Sequence, residues 1–154
     1  MGDNLPPLIL GIDPGPEESA LVWIRGERIE RVENASNHDV ARIVKECGET
    51  VAIEDFQPYG VRLGHESMAT IKWVGIFAYL AGERAVVIAR PDVKQHLCNC
   101  RTAKDADVRD AIIHRYGCTS KTARGTKKEP GPLYSVSGHA WAALAVALVA
   151  LDRM

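Results

Sequence analysis

The amino-acid sequence predicts an α/β fold: a mixed five-stranded sheet, a three-strand meander plus two parallel strands, flanked by helices. Three observations carry this. Apolar runs near the start are separated only by turn residues, Asp13-Pro14-Gly15 and Arg25-Gly26-Glu27, as in a meander. Two later runs, 50–53 and 85–89, alternate with segments of helical period, the pattern of strands joined by crossovers. The last stretch, 137–152, is apolar and long enough to be a buried helix.

Taken in order, Leu8-Ile9-Leu10-Gly11-Ile12 reads as a buried strand closed by Asp13-Pro14-Gly15. Residues 19–24 and 28–32 follow as the second and third strands. A short helix over 39–47 has apolar positions at 40, 41, 43 and 44, with Ser36 and Asn37 as capping candidates. Residues 50–53 form the fourth strand, ending in Glu54-Asp55. Residues 57–64 form a loop, and 66–81 a helix apolar on most sides, which should bury two faces. The fifth strand is 85–89. Helices over 91–97 and 105–116 come next, the latter with Ala111, Ile112 and Ile113 inward. A long polar loop, 118–135, leads to the final helix.

The chain of 154 residues suits a single domain, 1–154, with residues 1–6 read as a disordered leader. The net charge is −1, so a nucleic-acid surface has to come from uneven distribution rather than overall basicity. No uninterrupted apolar run approaches the ~18 residues of a membrane span, and Met1-Gly2-Asp3-Asn4 does not read as a secretory signal. Cys47, Cys98, Cys100 and Cys118 lack zinc-site spacing. Reduced thiols in a cytoplasmic protein are the simpler reading.

The chemistry shows in where acids sit. Asp13 ends the first strand and Glu54 the fourth. If those strands are adjacent and parallel, both carboxylates reach the carboxyl edge of the sheet, where open α/β sheets build their sites. Two carboxylates there repel unless a cation sits between them, and hard ions such as Mg²⁺ or Mn²⁺ suit oxygen ligands. Two such ions about 4 Å apart can activate water and stabilise the leaving oxygen of a phosphodiester. Taken singly, Asp13 also reads as a turn residue and Glu54 as a surface acid.

Several segments together resemble the RuvC-type Holliday junction resolvases, nucleases of the RNase H-like superfamily, including phage-type members. Gly11-Ile12-Asp13-Pro14-Gly15 is similar to the family's opening motif, and Ala52-Ile53-Glu54-Asp55 to its second acidic motif. Residues 59–72 resemble the loop and helix that face the junction and the dimer partner. Arg90-Pro91-Asp92-Val93-Lys94-Gln95 and Lys104-Asp105-Ala106-Asp107-Val108-Arg109 resemble the later strand-to-helix stretch and basic loop. Ala143-Leu144-Ala145-Val146-Ala147 resembles the end of the last motif. The resemblance implies an RNase H-like fold and a homodimeric endonuclease that resolves branched DNA in recombination and repair. It also implies two Mg²⁺ or Mn²⁺ ions held by Asp13 and Glu54, with His139 as a further catalytic and metal-facing group.

The last motif departs from the pattern. The family carries an acid or histidine and then, three residues on, an aspartate; here the two positions are His139 and Ala142. Three residues apart is one helix face, but alanine ligates nothing. Three alternatives stay open: Asp13, Glu54 and His139 suffice; another acid, such as Asp55, Asp105 or Asp107, supplies the missing oxygen; or the protein binds junctions and cuts poorly.

Cations for phosphate contact gather at Lys121, Arg124, Lys127 and Lys128, and again at Lys94, Arg101 and Lys104. Arg62, His65 and Lys72 flank the 57–64 loop, where Tyr59 or Phe56 could stack on or wedge against a base. Paired cuts on a two-fold substrate suit a symmetric dimer, with the surplus apolar face of the 66–81 helix as its interface. Rival readings are an actin-like ATPase, for which the chain lacks a second half and a phosphate loop; a non-cleaving branched-DNA module; and an RNase H-fold nuclease acting on another nucleic acid.

Overall fold

The computed structural model describes residues 4–117 and 119–154. Residues 1–3 of the expected leader, and the Cys118 thiol, lie outside them. Leu5 is exposed, but the Pro6 carbonyl accepts a bond from Arg25 Nη1 at 3.3 Å, which ties this part of the expected leader to the neighbouring turn.

The five strands are β1 (Leu8–Asp13), β2 (Glu18–Arg25), β3 (Arg28–Ser36), β4 (Thr50–Asp55) and β5 (Ala85–Ala89), in the spatial order β3-β2-β1-β4-β5. The first three pair antiparallel, as a meander requires, and β4 and β5 extend the sheet in parallel with β1. Helix α1 (Asn37–Glu46) and helix α2 (His65–Ala81) cover one face. Helices α3 (Arg90–Cys98), α4 (Asp105–Arg115), α5 (Ser120–Arg124) and α6 (Ala140–Asp152) cover the other.

Side chains alternate across a strand, and the two cores divide accordingly. Ile9, Ala52 and Ile88 pack beneath α6 with Leu144 and Leu148. Leu10, Ile12, Val51 and Ile53 pack against Val40, Val44, Val74 and Phe77 of α1 and α2. Covering on both faces explains why β1 and β4 read as continuous apolar runs. Helix α6 is buried nearly all round, from Ala143 to Ala150. It lies directly on β1 because Gly11 has no side chain: a Cβ there would stand 2.2 Å from the Ala143 carbonyl oxygen and 2.8 Å from Ala147 Cβ.

Helix α2 buries one face on the sheet, through Thr70, Val74, Phe77 and Ala81, and leaves Met68, Ile76 and Tyr79 of its surplus apolar face exposed in the single chain. Three expectations are corrected. The 118–135 stretch is not one loop, because α5 lies within it, with the Thr119 hydroxyl accepting from Thr122 N–H at 3.3 Å. Ala123, Leu133 and Val136 anchor this segment in the core, and so few apolar residues among so many polar ones hide the packing from a composition-based reading. The last helix begins at Ala140 rather than Ser137; Gly138 ahead of it takes φ +54°, off the helical path. Finally, Ser36 caps α1, accepting from Asp39 N–H at 3.2 Å, whereas Asn37 is turned inward.

Candidate active site

Strand parity decides what meets at the carboxyl edge. Asp13 follows Ile9 and Gly11 on the α6 face of β1, and Glu54 follows Ala52 on the same face of β4, the neighbouring parallel strand. Glu54 pairs in register with Ile88 of β5, and two residues beyond Ile88 stands Arg90, the first residue of α3. Asp55 has the opposite parity and instead accepts a bond from Gln57 Nε2 at 3.3 Å.

The turn after Asp13 is fastened from below. Asn37 donates through Nδ2 to the Gly15 carbonyl at 2.8 Å and accepts from the Ser19 hydroxyl at 2.6 Å, and Ser19 Oγ accepts from Gly15 N–H at 3.3 Å. Ser19 and Asn37 are buried, so these bonds satisfy groups that would otherwise be costly to desolvate. They hold Asp13 at a fixed height above the sheet.

Five ionisable groups meet at the edge, Asp13, Glu54, Arg90, Asp105 and His139. His139, at the N-cap of α6, sets Nδ1 3.0 Å from Asp13 Oδ2 while its side chain stays 88% exposed. Arg90 donates through Nη1 to Glu54 Oε1 at 3.0 Å, and its other terminal nitrogen bonds Asp105, the first residue of α4. Burial raises the Asp13 pKa above its ordinary value even though His139 and Arg90 lower it. Glu54 is pushed up to about 7, first by burial and then by the Asp13 charge, with Arg90 opposing. Asp105, by contrast, is held below the usual carboxylate range by the Arg90 hydrogen bond.

A cavity of about 450 Å³ opens beside these groups, lined by Asp13, Glu54, Arg90, Asp105, His139 and Ala142 among others. A larger groove of about 920 Å³ runs from Asp13, Glu54 and His139 past Phe56, Tyr59 and Arg62. Lys94 reaches the smaller cavity. His65 and Lys72 line a shallow pocket with Met68 and Ile76 on α2. Arg101 pairs with Asp92 at 2.5 Å, and Lys104 is the exposed N-cap of α4. Lys121, Arg124, Lys127 and Lys128 are exposed on α5 and the turn after it, and line neither cavity at the carboxylates.

Among the described residues no three His, Cys, Asp or Glu side chains are gathered as one ligand set. The donor chemistry nevertheless fits a hard divalent ion. Mg²⁺ keeps several waters and needs only one or two carboxylates, and half-buried Asp13 stands beside buried Glu54, its charge opposing the ionisation of Glu54.

Of the residues around the site, Arg90 and Asn37 are the two whose roles the sequence reading missed. For Arg90 a signal existed: parity carried two residues past Ile88 lands on it. Asn37 reads as a capping residue, and nothing local marks it as a tether.

The sheet order, the two helical layers and the acids at the ends of adjacent parallel strands define an RNase H-like α/β fold. Two solved structures narrow this further. RuvC from Thermus thermophilus superposes with a TM-score of 0.64 at 20% identity, covering 95% of each chain. T. thermophilus RuvC in complex with a Holliday junction substrate gives 0.62 at 21% identity, covering 95% of this chain and 94% of that one. The chain has the RuvC fold. No family model and no curated protein sequence matches it.

Proposed function

We propose that this protein is a divalent-metal-dependent endonuclease that cuts branched DNA, four-way junctions above all. The observation that carries the reading is the pair of carboxylates, half-buried Asp13 and buried Glu54, at the ends of adjacent parallel strands under α6, in a fold shared with a protein solved on a Holliday junction. Asp13 and Glu54 would hold Mg²⁺ or Mn²⁺, two ions in the full site, with His139 beside them. The metal supplies an activated water and charge stabilisation at the phosphodiester.

The chain's own residues do the rest. The Ser19–Asn37–Gly15 tether fixes Asp13. Exposed His139, bonded to Asp13, is free to orient water or a phosphate oxygen at the mouth of the site. Tyr59 and Phe56 are exposed along the groove next to Arg62, an arrangement suited to stacking on an unpaired base at a branch point. Lys94, Arg101, Lys104, Lys121, Arg124, Lys127 and Lys128 supply phosphate contacts, each adding to a salt-dependent affinity. The exposed α2 residues Met68, Ile76 and Tyr79, with His65 and Lys72 alongside, serve a homodimer that places paired cuts. Such an enzyme works in the cytoplasm, where DNA of a bacterial or phage-infected cell is found.

A second reading, a branched-DNA-binding protein that does not cut, is favoured by one observation: Ala142 leaves the α6 wall of the cavity without a ligand. One experiment separates the two. A synthetic four-way junction is incubated with Mg²⁺ or Mn²⁺ beside linear duplex and the Asp13→Asn variant. Paired nicks in the junction, reduced at least ~10³-fold in the variant while binding persists, are the expected result. Cleavage retained by Asp13→Asn removes the site assignment, and junction binding without nicks establishes the second reading.

A further inference from the structure

We propose that Asp105, on α4, takes over the metal-ligand position that Ala142 leaves empty on α6, and that Arg90 holds the cation's place between Asp105 and Glu54 until the ion binds. The inference rests on the metal-dependent reading above. Position 142 faces the cavity shared with Asp13 and Glu54 but offers only a methyl group. The same cavity is lined by the start of α4, through Asp105, Val108 and Arg109, and two acids stand in the first turn of that helix. They are not equivalent. Asp107 is consumed locally, its Oδ2 accepting from the Lys104 backbone N–H at 2.8 Å, which closes the helix end. Asp105 leaves its own helix and bonds Arg90, with Lys94 Nζ 3.9 Å from the same oxygen.

Arg90 is the second observation. One planar guanidinium bonds Glu54 Oε1 with one terminal nitrogen and Asp105 Oδ1 with the other. Oxygens from two separate elements thus converge on a single positive centre, as they would on a cation held between them. The remaining candidate acid is excluded by parity, since Asp55 bonds Gln57 on the far side of β4. The cavity, about 450 Å³, is many times the ~30 Å³ that a water occupies in the liquid. There is room for a hydrated ion and for Arg90 to swing aside. Once displaced, Arg90 is free to clamp a phosphate oxygen of the bound strand. The same residue then holds the two ligands in register before the ion arrives and binds substrate afterwards.

The test is Mn²⁺ binding by the full-length protein without DNA, read from the loss of the free-ion paramagnetic resonance signal, with circular dichroism confirming each variant's fold. Asp105→Asn should weaken Mn²⁺ binding by at least ~10-fold, and Ala142→Asp in that background should restore it. Asp107→Asn should leave it unchanged. Arg90→Gln should tighten Mn²⁺ binding while weakening junction binding, a pair of effects that loss of a merely structural arginine would not produce. Equal Mn²⁺ affinity in wild type and Asp105→Asn overturns the assignment of Asp105 and leaves the nuclease reading standing. A wild-type protein that binds no Mn²⁺ overturns both.

Discussion

Helix α6 carries a charged cluster at each end, and the two are built on opposite terms. At its C-terminus Asp152 accepts both terminal nitrogens of Arg115 at 2.7 Å and lies 2.7 Å from His96 Nε2, while Arg115 also bonds Glu27 at 2.7 Å. Here α3, α4, α6 and the β2–β3 turn are clasped by a network in which every named charge has a partner. The Arg115 hydrogen bonds hold the Asp152 carboxyl down at about 2. At the N-terminus of α6 Asp13 and Glu54 are held up instead, Glu54 at about 7, while Asp105 is held down by its Arg90 bond. Residue types are the same at both ends, carboxylates with an arginine and a histidine. What differs is burial and the ratio of charges: three acids share Arg90, and burial disfavours the ionised state of Asp13 and Glu54. Acids held up by burial fit a candidate functional site, whereas the opposite cluster is built of mutually paired charges.

The contrast can be broken experimentally, most sharply at Glu54. Its folded pKa lies above the unfolded one, so the folded state binds the extra proton, and stability falls as pH rises from about 4.5 to about 7. The fall amounts to at most about 3 kcal/mol. Glu54→Gln should abolish cleavage and, in chelator at pH 8, raise stability by up to that amount, measured by urea unfolding. A destabilised Glu54→Gln protein at pH 8 would mean that the Arg90 pair outweighs burial and that the two ends are not opposites.

Arg115→Ala should act in the other direction. Losing two bonds to Asp152 and one to Glu27 from a mostly buried guanidinium costs about 2 kcal/mol, with metal-dependent cleavage intact at a temperature where the variant stays folded. If unfolding is unchanged, the distal cluster is ornamental and the comparison fails. The smallest effect is the pH dependence of that cluster. With its folded pKa depressed, Asp152 contributes stability above about pH 4 that is lost as pH falls toward 2. After discounting for solvent screening this is about 1 kcal/mol. Asp152→Asn should flatten that limb of the curve; an unaltered limb would assign it to other carboxylates.

Much of this architecture is legible in the residues. The apolar runs ending at Asp13 and Glu54 are local signals, and the parallel pairing of β1 with β4 follows from the order of elements. Arg90 and Asp105 are harder, because their meeting is a tertiary event: a helix start and the start of the next helix, fifteen residues apart, are joined by one side chain. The distal clasp is invisible for the same reason, since Arg115 and Glu27 are 88 positions apart in the chain. Helix α2 is legible in part. Its apolar composition runs all round, but the sheet offers it only one face to cover, so Met68, Ile76 and Tyr79 remain outside.

The contact of Gly11 with Ala143 and Ala147 sets the distance of α6 from β1 without the residue at 142. Where α6 sits is gauged by the thickness of small side chains against a bare backbone, and no charge at its active end takes part in that measurement. An acid can therefore be traded for a methyl group there while the imidazole of His139 keeps its station over Asp13. The groups around the cavity of such a protein can be rewritten while the helix keeps its seat on β1.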